Sequence, residues 1–337
     1  MSGTLVQDIE TTAISPLFRS YRSFLDEKAP GEVLASRKFY EKVDAQEESL
    51  HSSLLLGCRT RAWFIRNSSS GEVRLASKQC RLRWCFHCSE ARQQFITQAV
   101  SPWYLHIHEP KLLTVTLKHN QNPLIEQIDF LYKSFRKLRS RKRFKDACKG
   151  GIWFFQITYN SSRQEWHPHI HALIDSKYIS HHYLIAAWEK ITQGSTIVHI
   201  RQVHNPEKTL SHNARYAARP SSLLSIPESR WCELFSAFDG RRIVGTWGEA
   251  KCISLRPKKP DDAADWESIG SFSTVFSLKS YDPDAIAIWE SWIYDKPLKS
   301  GISFDDIEDF LNGRDDHDPP PVKEWITNPI FDWNGNN

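Results

Sequence analysis

The chain has 337 residues, of which 40% are hydrophobic, 25% are charged and 12% are aromatic, and its net charge is +4. This composition excludes an intrinsically disordered protein, and the length predicts about two compact units. Apolar runs are far shorter than the roughly 18 residues that a membrane span needs. Residues 1–4 do not begin a secretory signal. We therefore expect a cytoplasmic protein that does not associate with membranes.

The charges are distributed unevenly along the chain. Residues 133–149 contain nine Lys or Arg side chains and one acid, whereas residues 305–318 contain seven acids and one Arg. This asymmetry favours a basic face that meets a polyanion and a separate acidic tail. The alternative is a solvated helix with a chance excess of charge.

A polar, helix-prone segment, residues 1–50, precedes a cysteine cluster. Cys80, Cys85 and Cys88 lie within nine residues, and Cys58 lies upstream. Four thiolates with this spacing are typical of a tetrahedral zinc site that has no open position, so we predict a structural zinc module over residues 51–104. His87 is an alternative ligand, and unrelated buried or free thiols are the simpler interpretation. An odd total of seven cysteines argues against a disulfide framework.

Strands and helices alternate over residues 105–255. Alternating apolar residues and runs bounded by turn signals predict strands over residues 113–117, 152–159, 169–174 and 197–203. Helices are predicted from residue 122, from 180 to 194 and from 205 to 220. The apolar positions of the first helix recur every three or four residues and should be buried: Leu124, Ile128, Leu131, Phe135 and Leu138. The expected fold class is α+β, with a sheet packed against flanking helices. Residues 256–337 are expected to form an acidic C-terminal appendage.

The predicted strand at 169–174 carries the most informative pattern. Because alternate side chains of a strand point to one face, His169 and His171 should lie side by side, close enough to share a metal ion. Gln156, a polar residue inside an apolar strand, is the best-placed third ligand. A His-x-His pair is weak evidence by itself, since His106 and His108 repeat it, and two ordinary surface histidines would also explain it.

Tyr216 lies in the last predicted helix. His212 precedes it by one turn and Arg219 follows it by three residues, so the three share a helix face. A tyrosine flanked by a base and cations is a candidate nucleophile toward phosphate, while a buried aromatic anchor is the commoner reason for such a residue.

The order of these motifs resembles the rolling-circle plasmid replication initiators of the HUH endonuclease superfamily. The likeness covers roughly residues 55–250: the Cys-x4-Cys-x2-Cys module, the Leu-Thr-Val-Thr-Leu strand and the basic helix come first. The His-Pro-His-Ile-His strand, the Ala-Arg-Tyr helix and the Arg-Arg-Ile-Val-Gly-Thr-Trp-Gly segment at 241–248 follow.

The resemblance implies an endonuclease domain over residues 105–255 with a central antiparallel sheet. His169 and His171 match the family's metal-binding pair, and Tyr216 matches its nucleophile. Two positions depart from the family pattern: Gln156 stands where a glutamate ligand is frequent, and His212 stands where a water-activating glutamate is expected.

The implied activity is a metal-dependent transesterification that nicks one DNA strand, leaving a 5′-phosphotyrosine and a free 3′-OH. The implied cofactors are Mg²⁺ or Mn²⁺ at the nuclease site and structural Zn²⁺. The implied partners are single-stranded and origin DNA, with host helicase and polymerase. The predicted DNA-binding residues are Lys133, Arg136, Lys137, Arg139, Arg141, Lys142, Arg143 and Arg219.

Three alternatives stay open from the sequence. A transposase of the same superfamily shares the chemistry. A histidine-triad nucleotide hydrolase would use the string His167, His169 and His171, but it explains neither the cysteines nor the basic helix. A non-catalytic zinc-containing DNA-binding regulator would need the histidines only for structure.

Overall fold

A computed structural model describes residues 21–47, 49–218, 220–255 and 265–303, without the side chains of residues 216, 218, 220 and 221. The chain divides into two compact units. The first unit contains residues 21–28, 59–78 and 265–303, and the second contains the other described residues. Each unit is therefore assembled from separate stretches of sequence.

The regular elements are numbered in chain order. The helices are α1 (Tyr21–Asp26), α2 (Pro30–Glu47), α3 (His51–Leu56), α4 (Phe86–Tyr104), α5 (Leu124–Ser140), α6 (Lys142–Ala147), α7 (His181–Thr192), α8 (Pro206–Ala218), α9 (Trp231–Phe238), α10 (Phe272–Leu278) and α11 (Pro283–Tyr294). The strands are β1 (Ala62–Asn67), β2 (Val73–Ser77), β3 (Pro110–Thr116), β4 (Cys148–Asn160), β5 (Glu165–Ser176), β6 (Val198–Gln202), β7 (Val244–Gly248) and β8 (Trp266–Ser271). None of the described helices is long and apolar enough to cross a membrane.

The second unit is built on a five-stranded sheet with the order β6-β3-β5-β4-β7. Every neighbouring pair in this sheet is antiparallel. The predicted α+β class with an antiparallel sheet and flanking helices is confirmed. The four predicted strands correspond to β3, β4, β5 and β6, and the three predicted helices correspond to α5, α7 and α8.

The two faces of this sheet differ in character. On one face, Trp153 and Phe155 of β4 meet Tyr132 of α5, with ring centroids 5.2 and 5.5 Å apart. The apolar positions of α5 predicted from the sequence are buried, including Leu131 and Leu138. Side chains alternate along a strand, so Gln156 and its cross-strand partner His169 belong to the opposite face. We call the two sides the α5 face and the histidine face.

The first unit contains a smaller antiparallel sheet with the order β2-β1-β8. Its core is aromatic: the rings of Phe64 and Phe272 stack with centroids 5.9 Å apart, and Trp289 of α11 lies 6.1 Å from Phe272. This unit combines α1, β1 and β2 with residues 265–303, a segment that begins about 190 residues after β2.

The compact units follow boundaries other than the predicted ones. Residues 59–78, predicted to belong to the zinc module, lie in the first unit, and the cysteines on either side of them lie in the second. Part of the predicted acidic appendage, residues 265–303, forms β8, α10 and α11. The acidic run at 305–318 lies outside the described residues.

Candidate active site and metal centre

His169 and His171 lie next to each other on β5, at the middle of the five-stranded sheet. Their ring centroids are 5.0 Å apart and their planes are nearly perpendicular. On the flanking strands, His169 pairs with Gln156 of β4 and Thr116 of β3, and His171 pairs with Thr114 of β3. The predicted side-by-side placement of the two imidazoles is present.

The Nδ1 atom of each imidazole has its own hydrogen-bond partner. Nδ1 of His169 donates to the backbone carbonyl of His167 at 3.0 Å, and Nδ1 of His171 lies 2.8 Å from the Thr114 hydroxyl oxygen. A hydrogen on Nδ1 leaves the Nε2 lone pair available, which is the usual arrangement of a histidine that binds a metal ion. The two residues thus have the donor chemistry of metal ligands.

Burial keeps both imidazoles neutral. Burial lowers the pKa of His169 to about 4, and the charge of His167 adds to that effect. Burial also lowers the pKa of His171 to about 4, assisted by the charges of His169, His212 and Arg201. A divalent ion binds only the neutral form, so both residues are in the binding form at neutral pH.

Helix α8 packs against β4 and β5. It covers the histidine face, because the side-chain amide of Gln156 donates to Asn213 Oδ1 at 3.4 Å. The charge of His212, a second α8 residue, contributes to lowering the pKa of His171, so His212 lies within electrostatic range of the histidine pair. The predicted helix over residues 205–220 is therefore adjacent to the predicted histidine strand.

Tyr216 lies in α8, three residues after Asn213 and four after His212. Positions three and four apart share one side of a helix, so the Tyr216 position is on the side that carries Asn213. The side chain of Tyr216 and all of Arg219 lie outside the described residues. Their predicted roles remain predictions.

Sequence reasoning missed several residues of the histidine face. Thr114, Asn213 and Arg201 take part through hydrogen bonds or charge. The alternation of threonine with apolar residues in β3 marked Thr114 as facing away from the apolar side. Its partner could not be inferred, because the pairing of β3 with β5 joins residues 57 apart in sequence.

The basic helix lies on the other side of the sheet from the histidines. Tyr132 contacts rings on the α5 face, and Lys133, Arg136 and Lys137 are exposed beyond it. Arg141, Lys142 and Arg143 continue the exposed basic surface into α6. The structure thus separates most of the predicted DNA-binding residues from the predicted metal ligands.

Four cysteine thiols converge at one point of the second unit. The sulfur of Cys58 lies 3.6 Å from that of Cys88 and 3.7 Å from that of Cys85, and the sulfurs of Cys80 and Cys88 are 3.7 Å apart. All four sulfurs lie within 4.8 Å of one another. This is the predicted ligand set, and His87 is not part of the group.

The spacing of these thiols matches a tetrahedral ion. Metal–sulfur bonds of about 2.3 Å place neighbouring sulfurs about 3.8 Å apart. Burial and the neighbouring thiols raise the pKa of Cys85 well above its ordinary value, so four thiolates can share this space only around a cation. Buried Arg92 lies close enough for the cysteines to act on its pKa, and its charge would offset part of their negative charge. The cluster could hold a metal ion.

Comparison with known proteins identifies the family of this chain. A family described as "Replication protein" matches residues 72–296, about two thirds of the chain. A "Protein rep" of Staphylococcus aureus is 28% identical over 190 residues, covering 51% of this chain and 83% of that protein. A "Protein rep" of Bacillus sp is 26% identical over 186 residues, covering 50% of this chain and 60% of that protein. No solved structure matches the chain. The chain therefore belongs to the replication protein family of plasmid rolling-circle replication initiators.

Proposed function

We propose that this chain nicks one strand of origin DNA by metal-dependent transesterification, as an endonuclease of the HUH type. The observation that carries the proposal is the pair of neutral imidazoles on β5 whose Nδ1 atoms are hydrogen-bonded, with the helix that bears Tyr216 packed against the same strand. Family membership supports a role in plasmid replication initiation.

The donors of the histidine face fit a divalent ion such as Mg²⁺ or Mn²⁺. Nε2 of His169 and of His171 would be ligands, and the side-chain oxygen of Gln156, opposite His169, would be a third. When bound, such an ion supplies positive charge that stabilises the oxygens of the scissile phosphate.

Tyr216 would act as the nucleophile. Its phenol oxygen attacks the phosphorus and loses its proton, the bond from phosphorus to the 3′ oxygen breaks, and that oxygen leaves as a free 3′-OH. The ordinary pKa of tyrosine is about 10, so the phenol needs a neighbouring positive charge or base at neutral pH. One phosphoester replaces another, so the nick can be resealed without ATP. A host polymerase would extend the 3′-OH, with a host helicase opening the duplex.

His212 would serve at the end of the cycle. It lies one turn before Tyr216, close enough to His171 for its charge to act on that pKa. A neutral imidazole there can accept a proton from water or from the 3′-OH that attacks the phosphotyrosine. We expect a larger effect of His212 on release than on the first cleavage.

Arg201 would hold a phosphate of the strand beside the metal-binding pair. It is exposed at the end of β6, opposite Leu112 of β3, and its charge reaches His171. Exposed guanidinium groups bind phosphate well and carry no information about base sequence. The basic surface of α5 and α6 would bind DNA away from the scissile bond.

We infer that the cysteine cluster holds zinc. Four thiolates at tetrahedral spacing are the ligand set that Zn²⁺ prefers, and with every position occupied by protein the ion has no room for substrate. Its role would be to join α3 and the loop before α4 to the start of α4. EDTA should therefore stop nicking while the more tightly bound zinc is retained.

The decisive experiment is incubation with single-stranded origin-like DNA and Mn²⁺, followed by a denaturing gel. His169→Ala with His171→Ala should abolish nicking and leave DNA binding largely intact. His106→Ala with His108→Ala is the matched control: the same residue pattern is removed, but from an exposed loop before β3, and nicking should persist. Full nicking by the His169→Ala, His171→Ala variant would show that these two β5 residues are not part of the nicking site.

Tyr216→Phe tests the nucleophile separately, because it removes one oxygen and little else. Covalent adduct should fall to background while DNA affinity is kept. Tryptic mapping of the wild-type adduct should identify the peptide that contains Tyr216. Adduct on the exposed Tyr178 would overturn this assignment.

The same assays separate the alternatives. Metal-independent hydrolysis of a nucleotide without need of Tyr216 would favour a histidine-triad hydrolase. Binding without cleavage would favour a DNA-binding regulator. Joining of the cleaved end to an unrelated target strand would favour a transposase.

A further inference from the structure

A cleft of about 330 Å³ lies on the α5 face of the second unit. It is bounded by α5, by Trp153 of β4 and by residues 240–242, which precede β7. Phe154 is the cross-strand partner of His171, and the next side chain along β4, that of Trp153, points to the opposite face of the sheet. The cleft therefore opens on the face away from His169 and His171. The chemistry proposed above does not use it.

Two aromatic rings form the apolar wall of the cleft. The rings of Tyr132 and Trp153 are half-buried, with centroids 5.2 Å apart and planes at 63°. The Trp153 indole lies against Gly245, its partner on β7, where a Cβ atom would come within 2.7 Å of the ring. The Tyr132 hydroxyl donates to the backbone carbonyl of Arg242. These contacts hold the two rings of the wall in place.

Four arginines supply the charge: Arg136, Arg139, Arg241 and Arg242 all line the cleft. Arg241 is paired with Asp129. Neither Arg136 nor Arg139 forms an ion pair with any residue that the structure describes, and Arg136 is exposed.

The guanidinium of Arg139 is held by two rings. It lies 4.8 Å from the centroid of Phe135 and 4.9 Å from that of Trp247. Burial, together with the nearby charge of Arg136, lowers the pKa of Arg139 to about 10. Two neighbouring positive charges without a carboxylate between them favour an anion in the cleft.

We propose that this cleft binds one nucleotide, with its phosphate between Arg136 and Arg139 and its base against Tyr132 and Trp153. Planar guanidinium groups match phosphate oxygens, and aromatic rings accept any unpaired base. The volume is at the lower end of ordinary ligand cavities, which begin near 300 Å³. It admits a single nucleotide and excludes a duplex.

The ligand chemistry has two possible sources: a free nucleotide and one residue of a single strand. The probes are therefore inorganic phosphate, deoxyadenosine 5′-monophosphate and a fluorescein-labelled single strand of four nucleotides. Binding is measured by calorimetry and by fluorescence anisotropy in the full chain carrying Tyr216→Phe, so that no cleavage occurs.

The test variant is Arg136→Gln with Arg139→Gln. Its matched control is Lys38→Gln with Lys190→Gln, which removes the same charge from exposed helical positions that lie outside the cleft and outside the basic surface of α5 and α6. We expect the test variant to weaken nucleotide binding roughly tenfold or more and the control to change it by roughly threefold or less. Arg136→Glu alone keeps the test possible if the loss of Arg139 prevents folding, since Arg136 is exposed.

In the test variant, a selective loss of mononucleotide binding supports a site for free nucleotide. A selective loss of binding to the short strand supports a site for single-stranded DNA. Equal losses of binding affinity in the test and control variants would overturn the proposal that the cleft binds a nucleotide. Equal affinity for phosphate and mononucleotide would show that Tyr132 and Trp153 do not bind the base, and this would overturn the proposed nucleotide site. His169→Ala with His171→Ala should leave this binding unchanged, so the cleft and the nicking site can fail independently.

Discussion

The side-chain amide of Gln156 donates a hydrogen bond to Asn213 Oδ1 at 3.4 Å, and this contact joins β4 to α8. Gln156 is also the cross-strand partner of His169. One residue therefore contacts the helix that carries Tyr216 and lies beside His169, a proposed metal ligand. Its side-chain oxygen stays available to an ion while its amide nitrogen holds the helix.

Gln156→Glu should strengthen binding of the divalent ion, because a carboxylate is a better ligand for a hard cation than a neutral amide. The Mn²⁺ concentration that gives half-maximal nicking should fall severalfold, whereas Gln156→Leu should raise it. Asn213→Ala is the control, because it removes the hydrogen bond between Gln156 and α8 but leaves the Gln156 oxygen in place. It should lower the nicking rate without changing the Mn²⁺ dependence. An unchanged Mn²⁺ dependence in both Gln156 variants would show that this side chain is not a ligand.

Thr114→Val should weaken ion binding by about 10-fold to 100-fold, the usual effect of losing a partner of a metal-binding histidine. Its hydroxyl oxygen lies 2.8 Å from Nδ1 of His171, and valine has nearly the same shape without that oxygen. Thr114→Ser should restore ion binding. The measurement is the Mn²⁺ titration of nicking, together with direct Mn²⁺ binding by calorimetry. Equal behaviour of the Val and Ser variants would contradict a positioning role.

Cys85→Ser should reduce zinc content and lower the thermal stability of the second unit, because the binding energy of a structural zinc contributes to folding. Cys85 is fully buried and precedes the first turn of α4. Cys252→Ser is the matched control, since that thiol is exposed and outside the cluster. Metal analysis and thermal unfolding measure both effects. A wild-type protein purified without zinc would refute the assignment.

Replacing Arg141, Lys142 and Arg143 with Gln should weaken binding to every DNA sequence alike. These exposed side chains begin α6 and continue the basic surface of α5. The salt dependence of binding should become flatter by about one unit for each phosphate that the variant no longer neutralises. Binding to origin and unrelated duplexes is compared over a range of salt concentrations. A weakening confined to the origin sequence would mean that these residues read bases.

Local patterns in the sequence determined the type of individual helices and strands and the side of each element on which its key residues lie. The alternation around Ile170 placed His169 and His171 on one strand face, because the side-chain period of a strand does not depend on its neighbours. The apolar spacing in α5 identified its buried side for the same reason. The spacing of Cys80, Cys85 and Cys88, with Cys58 upstream, indicated a cluster of four thiols, and the structure brings the same four together.

The contacts between elements depend on pairing of residues far apart in the chain, and such pairing leaves no pattern in the local sequence. The partner of Thr114 depends on β3 lying beside β5. The assembly of β1 and β2 with β8 joins segments about 190 residues apart, so a contiguous module at 51–104 was the simpler expectation from the sequence.

The position of the basic helix is the clearest case. Its charge was evident from the sequence, but the face of the sheet that it covers is set by the aromatic contacts of Tyr132 with β4. Charge and amphipathicity determine which side of a helix is buried, whereas the surface that buries it is chosen by packing against residues far away in the chain.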